Sequence, residues 1–246
     1  MRFAAIADIH GNCLALEAVL DDIAALGIRD VVNLGDHLSG PLEAARTADV
    51  LMRRDFTSIR GNHDRWLIER ERERLGSWDR DAHDQLGPDH IAWLKSLPAT
   101  ATFRDEVFLC HATPDDDNTY WLEMVTADGR VCTADIEDIE ARAGGIDASL
   151  ILCGHTHLPR VVRLRDGRMI VNPGSVGCPG FTYDVPAPHR VEAATPDACY
   201  AILERTPRGW STTFRLVPYD HQAMADLARR NGRREWASVL ASGRVR

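Results

Sequence analysis

The sequence predicts an α/β fold of two sheets with helices outside them, on three observations. Apolar strand-like runs alternate with helical patterns over residues 2–74, strand pairs joined by turns dominate from residue 101 onward, and five polar blocks each follow an apolar run. Arg2–Ala7 reads as a buried strand, and Asn12–Leu26 as a helix with Leu16, Val19, Leu20 and Ile23 at helical spacing, ended by Gly27. Val31–Leu34 follows as a strand, Leu42–Arg53 as a helix, Phe56–Ile59 as a strand and about Arg65–Arg74 as a helix. That βαβαβα order implies a mostly parallel sheet. Ala101–Phe103, Val107–Cys110 and Leu150–Cys153 read as further strands, with a short helix over Asp135–Arg142. Val161–Leu164 and Met169–Val171 flank the turn pair Asp166-Gly167, and Tyr200–Glu204 and Thr212–Val217 flank Pro207-Arg208-Gly209. The stretch Pro173–Pro196 is expected to be a long ordered loop bordering the site.

With 246 residues, 44% hydrophobic and 27% charged, the chain has the composition of a globular α/β protein, expected to form one domain over residues 1–246. The first residues lack the length and cleavage site of a signal peptide, and the six cysteines show no CxxC or framework spacing. A reducing, cytoplasmic setting without a membrane is therefore expected. A net charge of −8 disfavours nucleic acid as a partner and fits a small phosphate ester or nucleotide better. The arginines at 229, 230, 233, 234, 244 and 246 run against that balance and are expected to form a solvated helix face.

The polar blocks carry the chemistry. Asp8-Ile9-His10, Gly35-Asp36, Gly61-Asn62-His63-Asp64, His111 and Gly154-His155-Thr156-His157 all fall where a strand opens into a loop, the place where α/β sheets gather ligands. Asp, Asn and His bind borderline and hard divalent cations. Asp8 with His10, and His155 with His157, stand two apart, so an extended backbone would turn each pair to one side as a chelate. Asp36 adds a carboxylate suited to bridging, Asn62 a neutral oxygen and His111 another imidazole. Cys110 and Cys153 precede ligands but are expected to be buried small hydrophobes.

In order and spacing these blocks resemble the signature of the calcineurin-like metallophosphoesterase family over residues 1 to about 180. Asp8-Ile9-His10-Gly11-Asn12 and Asn172-Pro173-Gly174-Ser175-Val176-Gly177 look like its small bacterial and archaeal phosphodiesterase branch. The resemblance implies a two-sheet αββα sandwich and a dinuclear centre of two divalent cations (Mn, Fe, Zn or Co, with Mn favoured). Asp8, His10 and His157 would serve one cation, Asn62, His111 and His155 the other, with Asp36 bridging. It implies hydrolysis by a bridging hydroxide, with His63 protonating the leaving alkoxide. Asp64 is expected either to orient His63 or to cap the following helix.

Protein phosphatases of this family carry GDxxDR after the second strand, whereas this chain reads Gly35-Asp36-His37-Leu38-Ser39-Gly40. Without that arginine a phosphodiester or nucleotide is expected rather than a phosphoprotein. His37 and Ser39 are expected at the pocket or its turn, Arg60 on phosphate or in an ion pair, and Trp121, Phe181 and Tyr183 are candidates to stack on a nucleobase. The alternatives are a phosphomonoesterase, a nuclease and a non-catalytic metal-binding scaffold; intact His63 speaks against the scaffold.

Overall fold

A computed structural model describes residues 1–246. The amino-terminal alternation gives β1 (Arg2–Ile6), α1 (Cys13–Ala25), β2 (Val31–Asn33), α2 (Ala44–Met52) and β3 (Thr57–Ser58), the three strands lying parallel. The helices α3 (Asn62–Glu69), α4 (Ser77–His83) and α5 (Pro88–Ser96) follow. Next come β4 (Ala101–Phe103), β5 (Val107–Leu109), the hairpin β6 (Glu123–Val125) and β7 (Val131–Thr133), and α6 (Ile136–Arg142). After them run β8 (Leu150–Leu152), β9 (Arg160–Arg163) and β10 (Met169–Asn172), then the hairpin β11 (Gly180–Tyr183) and β12 (His189–Glu192). Last are β13 (Ala198–Thr206), β14 (Gly209–Val217), α7 (His221–Arg230) and α8 (Arg234–Ser242).

Two five-stranded sheets result, ordered β14-β13-β1-β2-β3 and β4-β5-β8-β10-β9. β13 lies antiparallel to β1, so the C-terminal part of the chain completes the first sheet. Alternation along β1 explains the layering. Phe3, Ala5 and Ala7 face the second sheet and pack with Leu109, Leu152 and Val171, while Ala4 and Ile6 face α1 and pack with Leu16, Val19 and Ile23. The outer face of the second sheet is covered by Ile139 of α6 against Ile151 and Ile170. Helix, sheet, sheet, helix is thus the order of layers, as expected. No helix is long and apolar enough to cross a membrane.

Two of the expected segments differ in the structure. The third helix starts at Asn62 rather than Arg65, because the Asp64 carboxylate three residues after Gly61 accepts from the Gly61 N–H at 2.9 Å and caps the helix there. It stops at Glu69, and a short 3-10 turn over Arg72–Arg74 replaces its last turn. The stretch Pro173–Pro196 is not all loop: it contains β11 and β12, strands of four residues each, too short and proline-flanked to show a period in sequence. Of the C-terminal arginines, Arg229, Arg230 and Arg234 sit on helices, whereas Arg233 precedes α8 and pairs with Asp81 at 2.6 Å, and Arg244 and Arg246 follow the last helix. Met224, Ala225 and Ala228 of α7 pack with Trp236, Ala237 and Leu240 of α8, leaving Arg229 and Arg230 in solvent.

Candidate metal and catalytic site

The first sheet delivers Asp8 just past β1 and Asp36 just past β2, with Asn62 opening α3; the second delivers His111 after β5 and His155 and His157 after β8. The chelating pairs do not converge by extended alternation. Asp8 (φ 54°), His10 (φ 51°), Asp36 (φ 54°), His155 (φ 70°) and His157 (φ 59°) all sit in the left-handed region, a conformation that costs roughly 1–3 kcal/mol each and persists only where surroundings enforce it. The enforcing contacts are visible. Asp8 N–H donates to the Gly35 carbonyl at 3.0 Å, His10 N–H to Asp36 carbonyl at 3.0 Å, and His155 N–H to the Asp8 carboxylate at 3.1 Å. Gly61 presses on the Asp36 side chain, and Gly177 on the Ile9 carbonyl; a Cβ at either would overlap those atoms.

The side chains form two groups, Asp8 with His10 and His157, and Asp36 with His111 and His155. The Nε2 atoms of His10 and His157 lie 3.2 Å apart, and His157 Nε2 is 3.6 Å from Asp8 Oδ1. His111 Nε2 stands 3.3 Å from Asp36 Oδ2 and 3.0 Å from Asn62 Oδ1. The same Asp36 oxygen is 3.9 Å from His10 Nε2, so this carboxylate reaches both groups.

Main-chain carbonyls fix the tautomers. His10 Nδ1 bonds Ser39 (Oγ at 2.8 Å, carbonyl at 3.1 Å), His111 Nδ1 donates to the Leu34 carbonyl at 2.8 Å, and His157 Nδ1 to the Cys178 carbonyl at 2.7 Å. A proton held on Nδ1 leaves Nε2 of His10 and His157 as a lone pair aimed inward, the arrangement of metal-ligating histidines, whereas His111 is pushed up to about 10 by Asp36 and Asp8 in spite of its burial and would give up its Nε2 proton to a cation. His155 is the reverse: its Nε2 donates to the Asn118 carbonyl at 3.0 Å, which frees Nδ1. Burial depresses His10 to about 4 and His155 to about 3, and holds His157 well below the usual imidazole value, so these three are neutral and ready to ligate. Burial pushes Asp8 up to about 8, opposed by His111. Asp36 is held low by His111, His63 and His10 in spite of its burial. The donor set and its fixed lone pairs fit divalent cations.

His63 belongs to neither group. Its ring lies 5.5 Å from that of His10, and its Nδ1 bonds Asp79 Oδ1 at 2.6 Å. Burial alone would lower this imidazole, but the Asp79 and Asp36 carboxylates outweigh it and push His63 up to about 9. Sequence reading missed Asp79, which comes from α4, sixteen residues downstream. Asp64 is not the group that orients His63. Its buried carboxylate accepts from the N–H groups of Asp36 (2.8 Å), His37 (3.0 Å) and Gly61 (2.9 Å) and from His37 Nδ1 (2.7 Å), which locks the Asp36 loop to the start of α3.

The expected substrate-binding residues need correction. His37 is fully buried between Asp64 and Trp93, away from the cavity that the ligands line. Ser39 holds His10 instead of facing the cavity. Arg60 forms no ion pair and donates weakly to the Leu97 carbonyl at 3.4 Å, pointing toward the end of α5. Trp121 is 3% exposed and sits in the core under the second sheet, its Nε1 donating to the Ile139 carbonyl at 3.1 Å. Cys110 and Cys153 occupy that same core, as expected. The cavity, about 180 Å³, is walled by Trp66, Trp78, Asn118, Tyr120, Phe181, Thr182 and Tyr183 around the ligands and His63. Of these, Phe181 and Tyr183 were anticipated; Trp66 and Trp78 carried no readable spacing. The acidic segment after His111 is tied down rather than loose, since Arg65 grips the Asp117 carboxylate with two bonds of 2.7 Å.

A double-sheet α/β fold with metal-ligating side chains at its strand ends defines a metal-binding hydrolase. Residues 1–187 match the calcineurin-like phosphoesterase superfamily domain, and the chain belongs to that superfamily as a metallophosphoesterase. It is 26% identical over 205 residues to an uncharacterized protein of Methanocaldococcus jannaschii, spanning 72% of this chain and 76% of that protein. Its structure is similar to that of a metallophosphoesterase from Sphaerobacter thermophilus (25% identity, TM-score 0.76, 99% of each chain). A hypothetical protein from Pyrococcus horikoshii shares the fold at 18% identity (TM-score 0.73, 100% of this chain and 99% of that one).

Proposed function

We propose that this metallophosphoesterase is a phosphodiesterase that hydrolyses a small or nucleotide phosphate diester at a dinuclear centre, acting as one domain in the cytoplasm. Asp8, His10 and His157 would hold one divalent cation, Asn62, His111 and His155 the other, with Asp36 shared. Oxygen and imidazole donors without thiolate suit Mn²⁺, Fe, Zn²⁺ or Co²⁺, and Mn²⁺ is our preference. Bound there, such a pair supplies Lewis acidity, lowering the pKa of water and offsetting charge on phosphoryl oxygens.

The chain's own residues do the rest. His63 carries its proton at neutral pH and has Nδ1 committed to Asp79, so Nε2 is the nitrogen that gives a proton to the departing oxygen. Asp79 fixes the ring and stabilises its charge. The indoles of Trp66 and Trp78 flank His63 at 4.7 and 6.1 Å between ring centres and hold its ring in place.

The observation that supports a diester is the cavity wall. Outside the ligands and His63 it is aromatic or neutral, with no Arg or Lys to neutralise a second phosphate charge. The test is hydrolysis of bis-p-nitrophenyl phosphate against p-nitrophenyl phosphate by Mn²⁺-loaded protein, with His63→Ala and Asp36→Ala as controls. Diester turnover lost in both variants is the expected result; preference for the monoester would replace the reading with a phosphomonoesterase.

A further inference from the structure

The cavity has an aromatic wall on each side of the ligands, and the two walls differ in what their rings have left to offer. Beside His63, the Trp66 ring is already covered by the Arg70 guanidinium, 4.3 Å from its centroid, and Trp78 packs edge-on against Trp236 at 4.8 Å. Beside His155 and His157 stand Tyr120, Phe181 and Tyr183. Phe181 meets His157 at 4.8 Å and Tyr120 meets His155 at 5.4 Å, both at steep angles; neither ring is covered by a guanidinium or stacked parallel on another ring. Tyr183 is 41% exposed. This wall is also fixed in place: His189 Nδ1 donates to the Ala187 carbonyl, so its Nε2 accepts from the Tyr120 hydroxyl at 3.0 Å and ties the loop after β5 to the β11–β12 hairpin.

We infer that the wall formed by Tyr120, Phe181 and Tyr183 is a nucleobase subsite, and that the substrate is a nucleotide diester whose retained half carries the base. The inference rests on the phosphodiesterase reading above. On the reading above the departing oxygen faces His63, which leaves the wall away from His63 to the ester's other substituent. There it meets flat π-faces with Asn118 and Thr182 at their margin and no cation. Stacking surfaces edged by neutral donors and acceptors recognise a planar ring with hydrogen-bonding edges, which is a base rather than a sugar phosphate.

Hydrolysis by this route breaks the P–O bond to the leaving alcohol and adds water's OH to phosphorus, so the retained product is a nucleoside monophosphate. Product affinity therefore reads the subsite without turnover. Titration calorimetry of Mn²⁺-loaded protein with adenosine 5′-monophosphate and with ribose 5-phosphate is the experiment. The nucleotide is expected to bind about tenfold tighter or more, in keeping with stacking on one or two rings. Tyr183→Ala is expected to shrink that ratio about fivefold, and Tyr183→Phe, which keeps the ring, to restore it. Equal affinity for the two probes, or a ratio indifferent to Tyr183→Ala, would overturn the inference. If the base preference holds but bis-p-nitrophenyl phosphate is not cleaved, the diesterase reading falls and the base subsite stands; cleavage without base preference gives the reverse.

Discussion

At the floor of the cavity Asp8, His10, Asp36, Asn62, His111 and His157 are buried, and three of the imidazoles are locked by carbonyls. At its rim Trp66, Trp78, Tyr120, Phe181 and Tyr183 are partly exposed and come from α3, α4, a loop and a hairpin. The floor is built from loops whose backbone is strained and held by main-chain bonds, so its geometry is set before any ligand arrives. The rim is set by packing between side chains and can vary without disturbing the floor. The proposed reading therefore puts the chemistry in the floor, and the choice of substrate and handling of the leaving group in the rim.

The largest effect is expected from breaking the floor. Asp36→Asn removes the one carboxylate near both groups, and turnover of bis-p-nitrophenyl phosphate should fall by about a thousandfold or more, with metal content by mass spectrometry reduced as well. His63→Ala should cost about 10²–10⁴ in kcat while metal content stays at the wild-type level. A metal-depleted His63→Ala would place that histidine in the floor after all. Asp79→Asn keeps the shape but loses the charge. It should lower kcat about tenfold to hundredfold with KM little changed, and move the alkaline limb of the kcat profile to lower pH, since His63 must hold its proton to give it.

Trp121→Ala sharpens the boundary from the other side. As a core residue beneath the second sheet it should lose about 3–5 kcal/mol in denaturant unfolding, with the ratio of kcat/KM between nucleotide and simple diesters unchanged. The smallest effect lies far from the cavity. Arg215 and the Tyr200 hydroxyl hold the Asp22 carboxyl below its usual value. A depressed carboxylate contributes stability that is complete above the unfolded value and lost as pH falls through the folded one. Asp22→Asn should therefore flatten acid unfolding by less than about 1 kcal/mol and leave neutral pH activity alone.

The same division explains what the sequence made legible. Every floor residue ends a strand or opens a helix in the first 157 residues, so apolar runs pointed to Asp8, Asp36, Asn62, His111 and His155 directly. Period-two spacing found one right pair, Asp8 with His10, by a wrong route, since left-handed backbone, not extension, turns them inward; His155 and His157, the other expected chelate, fall in different groups. The rim had no such signal. Asp79 reaches His63 from a separate helix of seven residues, and Phe181 and Tyr183 ride on a hairpin hidden in a proline-rich stretch. His37, Arg60 and Trp121 sit beside or near the motifs in sequence, and neighbours along a loop or strand point to opposite sides. Adjacency therefore misplaced them.

The most direct test of the central claim is the electron paramagnetic resonance spectrum of the protein titrated with Mn²⁺. With Asp36 shared between two groups, the account predicts uptake of two ions per chain and a spin-coupled signal at the second equivalent, lost in Asp36→Asn. Saturation at one ion, or two uncoupled signals that persist in Asp36→Asn, would contradict it.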